Sequence, residues 1–299
     1  MLLMLGARLL AAASLLMLLL VLGPNPAWAA AGRVTILSNG VPRTAIVIEH
    51  RRLKQGRKPL IIVLRNSKGK ASRLRRNFGA EEMSHSRGTI LVYPQSLSSH
   101  WNTSLTPEGN PDAAFVHDLV AKFISKGLVD PGKVFLVGVR SAGPLAFRLA
   151  CEQKISFAGV AIAGAPIPAE AAENCKPARP IPLLMVSGGE GPATSTHDNS
   201  GVRGQPALAE AALKPFSEAA GCSPAAGTTS RSEKEVHGYI RAYFEKLRNC
   251  SAPVELVRLE GAGHGGLNPA GEAGQDQGDA GAEAASAKLV WDFFRSLGG

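Results

Sequence analysis

Several common signatures are missing from this chain of 299 residues, and each absence removes a class of protein. No C-x-x-C pair and no neighbouring histidine spacing accompany its four cysteines, which argues against a structural zinc site. Nothing repeats at a solenoid period, so a stacked array is excluded. No second domain and no polymer- or carbohydrate-binding module announces itself. Between Arg51 and Arg76 there are eleven basic residues and no acidic one. Before residue 9 the only charge is Arg8, and no cysteine stands near Ala27-Trp28-Ala29, which removes lipid attachment at that point.

What is present at the N-terminus has a clear form. Arg8 precedes an apolar run from Leu9 to Leu22, followed by Gly23-Pro24 and the small-residue stretch around Ala29. This is the layout of a cleavable secretory signal over residues 1–29, with an uncleaved anchor as the alternative. The run is short for a span of ~20 residues. Residues 30–299 then suit one α/β domain, secreted or periplasmic. An even cysteine count in an exported chain points to disulfides among Cys151, Cys175, Cys222 and Cys250, with three connectivities open.

The net charge is +9, and the basic segment 51–76 carries much of it. The plain reading is a solvated surface; the sharper one is a patch for an anionic envelope surface such as lipid headgroups. Nucleic acid is not expected as a partner of an exported chain.

Apolar patterning sets the elements. Val34–Leu37 and Ala45–Glu49 flank Asn39-Gly40 and read as a hairpin. "KPLIIVL", "GTILVYPQ", "KVFLVGV", "FAGVAIAGA", "IPLLMVSGG" and "PVELVRLEG" read as buried strands. Pro111–Gly127, Pro144–Glu152, Pro206–Ala220 and Ala284–Leu297 read as helices, and Ser72–Gly88 as partly helical. Residues 261–283 lack periodicity and are expected to be a mobile loop. The alternation predicts an α/β fold with a mostly parallel central sheet, helices on both faces and an N-terminal antiparallel hairpin.

The stretch "VFLVGVRSAGPLAFRLAC" joins a strand to a helix through a turn of small residues. Together with "HWN", "PDAAFVHDLVAKF", "VDPGKVFLVGV", "FAGVAIAGA", "AGC" and "VELVRLEGAGH" in that order, it resembles the secreted esterases grouped with polyhydroxybutyrate depolymerases and feruloyl-type esterases. The resemblance implies the α/β-hydrolase fold; no cofactor and no metal are expected, and the chain is expected to be a monomer that takes a small ester or an anionic ligand. It also favours the neighbour pairings Cys151–Cys175 and Cys222–Cys250.

That family implies a nucleophile elbow, a histidine base, an acid and an oxyanion loop. Centred on Arg140, the elbow has Gly138 and Ala142 as its small flanking residues; centred on Ser141, it has Val139 and Gly143. A guanidinium cannot attack a carbonyl, so the first centring removes the nucleophile and the second displaces it. The acid position falls on Gly191, with Glu190 one place early and Asp198 a weaker candidate. His264, in "EGAGHGG", stands where the family has its base. The oxyanion loop reads Arg65-Asn66-Ser67-Lys68-Gly69 and has lost most of its glycine character. Two readings follow. In one, the former cleft binds an anionic ligand through Arg140, Arg65 and Asn66, beside His264. In the other, Ser141, His264 and Glu190 form a shifted ester-hydrolysing triad.

Overall fold

A computed structural model describes residues 30–49, 56–65, 88–98, 100–103, 110–188, 209–223, 230–237, 240–260 and 275–298. Ten strands among them form one sheet in the order β1-β2-β4-β3-β5-β6-β7-β10-β9-β8. They are β1 (Ala30–Ser38), β2 (Val41–Glu49), β3 (Lys58–Leu64), β4 (Ile90–Pro94), β5 (Val129–Val139), β6 (Gly159–Ala163), β7 (Leu183–Gly188), β8 (Ser230–His237), β9 (Ile240–Lys246) and β10 (Val254–Glu260). The six strands from β4 to β10 through the middle of the sheet are parallel to one another. The β1–β2 and β8–β9 hairpins add antiparallel strands at the two edges.

Burial on both faces explains the continuous apolar runs of the central strands. Leu60, Ile62, Leu64 and Leu136 point into one core layer, and Ile61, Val63, Phe135 and Val137 into the other. Helices α1 (Pro111–Ser125), α2 (Gly143–Glu152) and α4 (Ala209–Ala219) cover the first face with Phe115, Leu119, Leu145, Phe147 and Phe216. The short α3 (Ala169–Asn174) packs beside α4. Helix α5 (Gln275–Ser296) covers the second face, through Val290, Phe293 and Phe294. Phe294 stacks 4.8 Å from Phe135, and Phe147 meets Phe216 edge-on at 5.4 Å. Each such ring contributes ~1.5–3 kcal/mol by leaving water.

Besides the short α3, which the sequence pattern does not mark, and β1, which starts at Ala30 and not at Val34, the structure departs from the sequence expectation in three places. The β8–β9 hairpin was not foreseen, because "SRSEKEVH" carries four charges and a single branched apolar residue. Strand β5 begins at Val129, not Lys133, running through Pro131-Gly132 before its buried part. The third difference corrects the mobile loop expected over 261–283: residues 275–283 belong to α5, and 261–274 lie outside the described residues. The stretch after residue 279 is rich in alanine, the best helix former. The expected part-helical stretch 72–88 and the signal segment 1–29 also lie almost wholly or wholly outside the described residues.

Candidate functional site

The parallel strands β3, β5, β6, β7 and β10 all end on one edge of the sheet, the edge where ligands of open α/β sheets bind. At the centre of that edge β5 passes into α2 through a single 3₁₀ turn, Arg140–Ala142. Val139 still has extended angles, φ −115° and ψ 128°, whereas Arg140 has φ 54°. A non-glycine residue in the left-handed region is costly and requires its surroundings to hold it there.

Those surroundings are unusually close. A Cβ added to Gly138 would stand 2.5 Å from the Ala146 Cβ and 2.9 Å from the Gly143 Cα. One added to Gly143 would collide with Ala165 after β6. Ala142 is fully buried. The backbone before and after the turn is therefore pressed against α2 and the β6 exit, and only Arg140 and Ser141 retain partial exposure. The left-handed residue at the tip of this turn is Arg140, and Ser141 follows it inside the 3₁₀ turn.

Arg65 lies beside this turn. Leu64 is in register with Gly138, so Arg65 leaves β3 next to the point where Val139 and Arg140 leave β5. The Arg65 carbonyl accepts a 2.9 Å hydrogen bond from the Trp101 indole N–H, and Trp101 is buried. This fixes the first residue after β3 and gives the tryptophan of "HWN" a structural role. Asn66, Glu190 and His264 lie outside the described residues. The strands that lead to the last two, β7 ending at Gly188 and β10 ending at Glu260, finish on the same edge as β5.

Sequence reasoning missed a second polar cluster behind the site. Arg43 on β2 and Asp112 on α1 form a buried ion pair at 2.5 Å, with side-chain exposures of 2% and 8%. Asp112 also accepts a 2.7 Å bond from the Asn102 N–H, and Arg43 lies 4.2 Å over the Phe115 ring. Asn110 caps α1 by accepting from the N–H groups of Asp112 and Ala113, and donates to the Asn102 carbonyl. The cluster thus ties Asn102, next to Trp101, to a helix and an edge hairpin. Its partners are 69 residues apart in the chain, and no short pattern marks them.

The disulfides join Cys151 to Cys175 and Cys222 to Cys250. The first ties the far end of α2 to the residue after α3; the second ties the segment after α4 to the approach to β10. Sequence separations of 24 and 28 make each worth ~3–4 kcal/mol in the chain-entropy account. Among the described residues no group of three metal-ligating side chains occurs. No helix among them is long and apolar enough to cross a membrane.

No protein-family model matches the chain. NocK of Nocardia uniformis subsp. tsuyamanensis, whose name gives it as a provisional esterase, is 32% identical over 145 residues, 47% of this chain and 42% of its own length. Feruloyl esterase B of Piromyces equi is 24% identical over 253 residues, 80% of this chain and 42% of its own. The chain therefore spans about two fifths of the length of these curated relatives. A solved prolyl endopeptidase superposes on 92% of this chain and 39% of its own with a TM-score of 0.52 at 14% identity, a likeness of fold alone. Sheet order, elbow and relatives agree: this is an α/β-hydrolase-fold protein related to esterases of that class.

Proposed function

We propose that the chain is an exported member of the polyhydroxybutyrate depolymerase and feruloyl-type esterase group whose elbow no longer carries a nucleophile and whose cleft holds an anionic ligand. The observation that carries this reading is Arg140 at φ 54°, on the tip of a strand–turn–helix packed by Gly138 and Gly143. Ester hydrolysis of this type begins with attack by a hydroxyl at that tip. A guanidinium is cationic at ordinary pH and is no nucleophile; it binds carboxylate or phosphate through charge-assisted, often paired, hydrogen bonds. Arg65, leaving the adjacent strand, adds a second cation to the same edge. The N-terminal signal pattern and the two disulfides support export.

The active alternative uses Ser141 with His264 and Glu190. Two assays on the purified protein separate the readings. In the first, p-nitrophenyl acetate and butyrate are offered to the protein, to Ser141→Ala and to His264→Ala. The expected result is no turnover above either variant. Hydrolysis that both substitutions abolish overturns the proposal and establishes the shifted triad. In the second, titration calorimetry with acetate and inorganic phosphate is expected to show binding that Arg140→Gln weakens at least about tenfold, the loss of one charge-assisted pair.

A further inference from the structure

The two edges of the sheet are built differently. At one edge β8 carries Arg231, Glu233, Lys234 and Glu235, with residues 232–235 exposed, and its register with β9 is interrupted between Glu235 and His237. Charges and irregularity of this kind stop an edge strand from recruiting another. At the other edge, β1 runs in unbroken register with β2 from Ala30↔Glu49 to Ser38↔Val41. It has one charge, Arg33, no proline and no bulge, and among the described residues it pairs with β2 alone. Leu37 is 71% exposed on it.

The hydrogen-bond parity of this edge follows from its neighbours. The Thr44 carbonyl accepts from the Gln95 N–H at 2.9 Å, so the main chain of Thr44 faces β4 and not β1. Its cross-strand partner Thr35 therefore belongs to a non-hydrogen-bonded pair, and the Thr35 N–H and C=O point out of the sheet. The hairpin turn agrees. Asn39 (φ 50°) and Gly40 (φ 75°) form a two-residue primed turn, which makes Ser38 and Val41 the closing bonded pair. Pro42, without an N–H, falls in the next, non-bonded pair with Leu37. Alternation then leaves Arg33, Thr35 and Leu37 with outward main-chain groups.

We propose that β1 is the docking edge for a second copy of this chain, paired antiparallel about a two-fold axis at Thr35. In that register Thr35 faces Thr35 of the other copy, Val34 faces Ile36, and Arg33 faces Leu37. Outward groups meet outward groups at every bonded pair, as an antiparallel ladder requires. Threonine pairs and branched aliphatic pairs are favourable across strands. The single charge never faces itself, and the stem of Arg33 covers exposed Leu37 while its head stays in water. Such self-complementarity is what a two-fold interface demands. It favours a second copy over an unrelated extended peptide.

The register makes a sharp test with the full-length chain. The four native cysteines are all in disulfides. In a bonded antiparallel pair the two residue-35 Cα atoms stand about 5.5 Å apart, inside the ~4.4–6.8 Å range of disulfides. Thr35→Cys is therefore expected to yield a covalent dimer as the main species on a non-reducing gel after mild oxidation. Arg33→Cys, four residues out of register with itself, is expected to stay monomeric on the same gel. By sedimentation velocity the unmodified chain is expected at twice its chain mass. Thr35→Pro, which removes an outward N–H without touching the β1–β2 ladder, is expected at one chain mass with unchanged circular dichroism. A monomer at every concentration, or equal cross-linking of the Thr35→Cys and Arg33→Cys variants, overturns the proposal.

Discussion

Two arginines, Arg43 and Arg140, are both held by the fold, but by different parts of the residue. Arg43 has its guanidinium locked: ion-paired to Asp112 at 2.5 Å, laid over Phe115 and almost without solvent. Arg140 has its backbone locked, by a left-handed φ between two glycines with no room for a side chain, while its side chain stays partly exposed. The first arrangement uses a charge to hold β2, α1 and the Asn102 loop together. The second holds a charge at the strand-end edge of the sheet, where open α/β folds bind their ligands. Residue type does not distinguish the two arginines; which part of each is constrained does.

The most damaging way to break the comparison is at Asp112. Removing one member of a buried ion pair leaves the other uncompensated, so Asp112→Ala is expected to cost about 3–5 kcal/mol by urea unfolding. Replacing both members, Arg43→Met with Asp112→Leu, is expected to recover most of that loss, because well-packed apolar residues substitute for a buried pair at little cost. If the double variant is as unstable as the single one, the hydrogen bonds to Asn102 and to the Gln95 and Pro111 carbonyls matter more than the pairing.

At Arg140 the expected sign is opposite. A non-glycine residue in the left-handed region costs ~1–2 kcal/mol, and glycine returns part of that gain through the unfolded chain. Arg140→Gly is therefore expected to stabilise the fold by roughly 0.5–1 kcal/mol while lowering anion affinity. A loss of stability would place Arg140 with Arg43, as a residue whose side chain supports the fold.

The sequence conveys these two regions unequally. The elbow is legible because its constraints are local: Gly138, Ala142 and Gly143 fall within six residues, and the continuous apolar runs on either side mark a buried strand and a helix. The central strands are legible for the same reason. The Arg43–Asp112 pair is not, because its members meet only once β2 and α1 have been brought together by sheet order. The β8–β9 hairpin is hidden for another reason: a charged edge strand lacks the apolar alternation by which strands are recognised. Glu190 and His264 are expectations from position in a family frame alone and lie outside the described residues; what the structure adds is that β7 and β10, which lead toward them, end on the same edge as Arg140.

A third basic group, His117 on α1, sharpens the contrast by having neither kind of support. Its Nε2 is buried without a hydrogen-bond partner among the described residues, and burial holds its pKa below the ordinary histidine value. Nearby Glu152 and Asp118 work against that shift and Lys154 with it, but desolvation dominates. The sign follows from proton linkage: the unfolded chain binds a proton at His117 more readily than the folded one. Stability from the neutral imidazole is therefore fully present above about pH 6.5 and declines as the pH falls from there toward the lowered folded value. His117→Asn, which cannot take up a proton, is expected to flatten the stability–pH curve on the acid side of pH 6.5 and leave the slope above it unchanged. The effect is smaller than that of either arginine-site variant and measurable as parallel urea titrations across that range. An unchanged acid slope would mean that one of the carboxylates beside it supplies a partner in solution, and that His117 is held as Arg43 is, by its side chain.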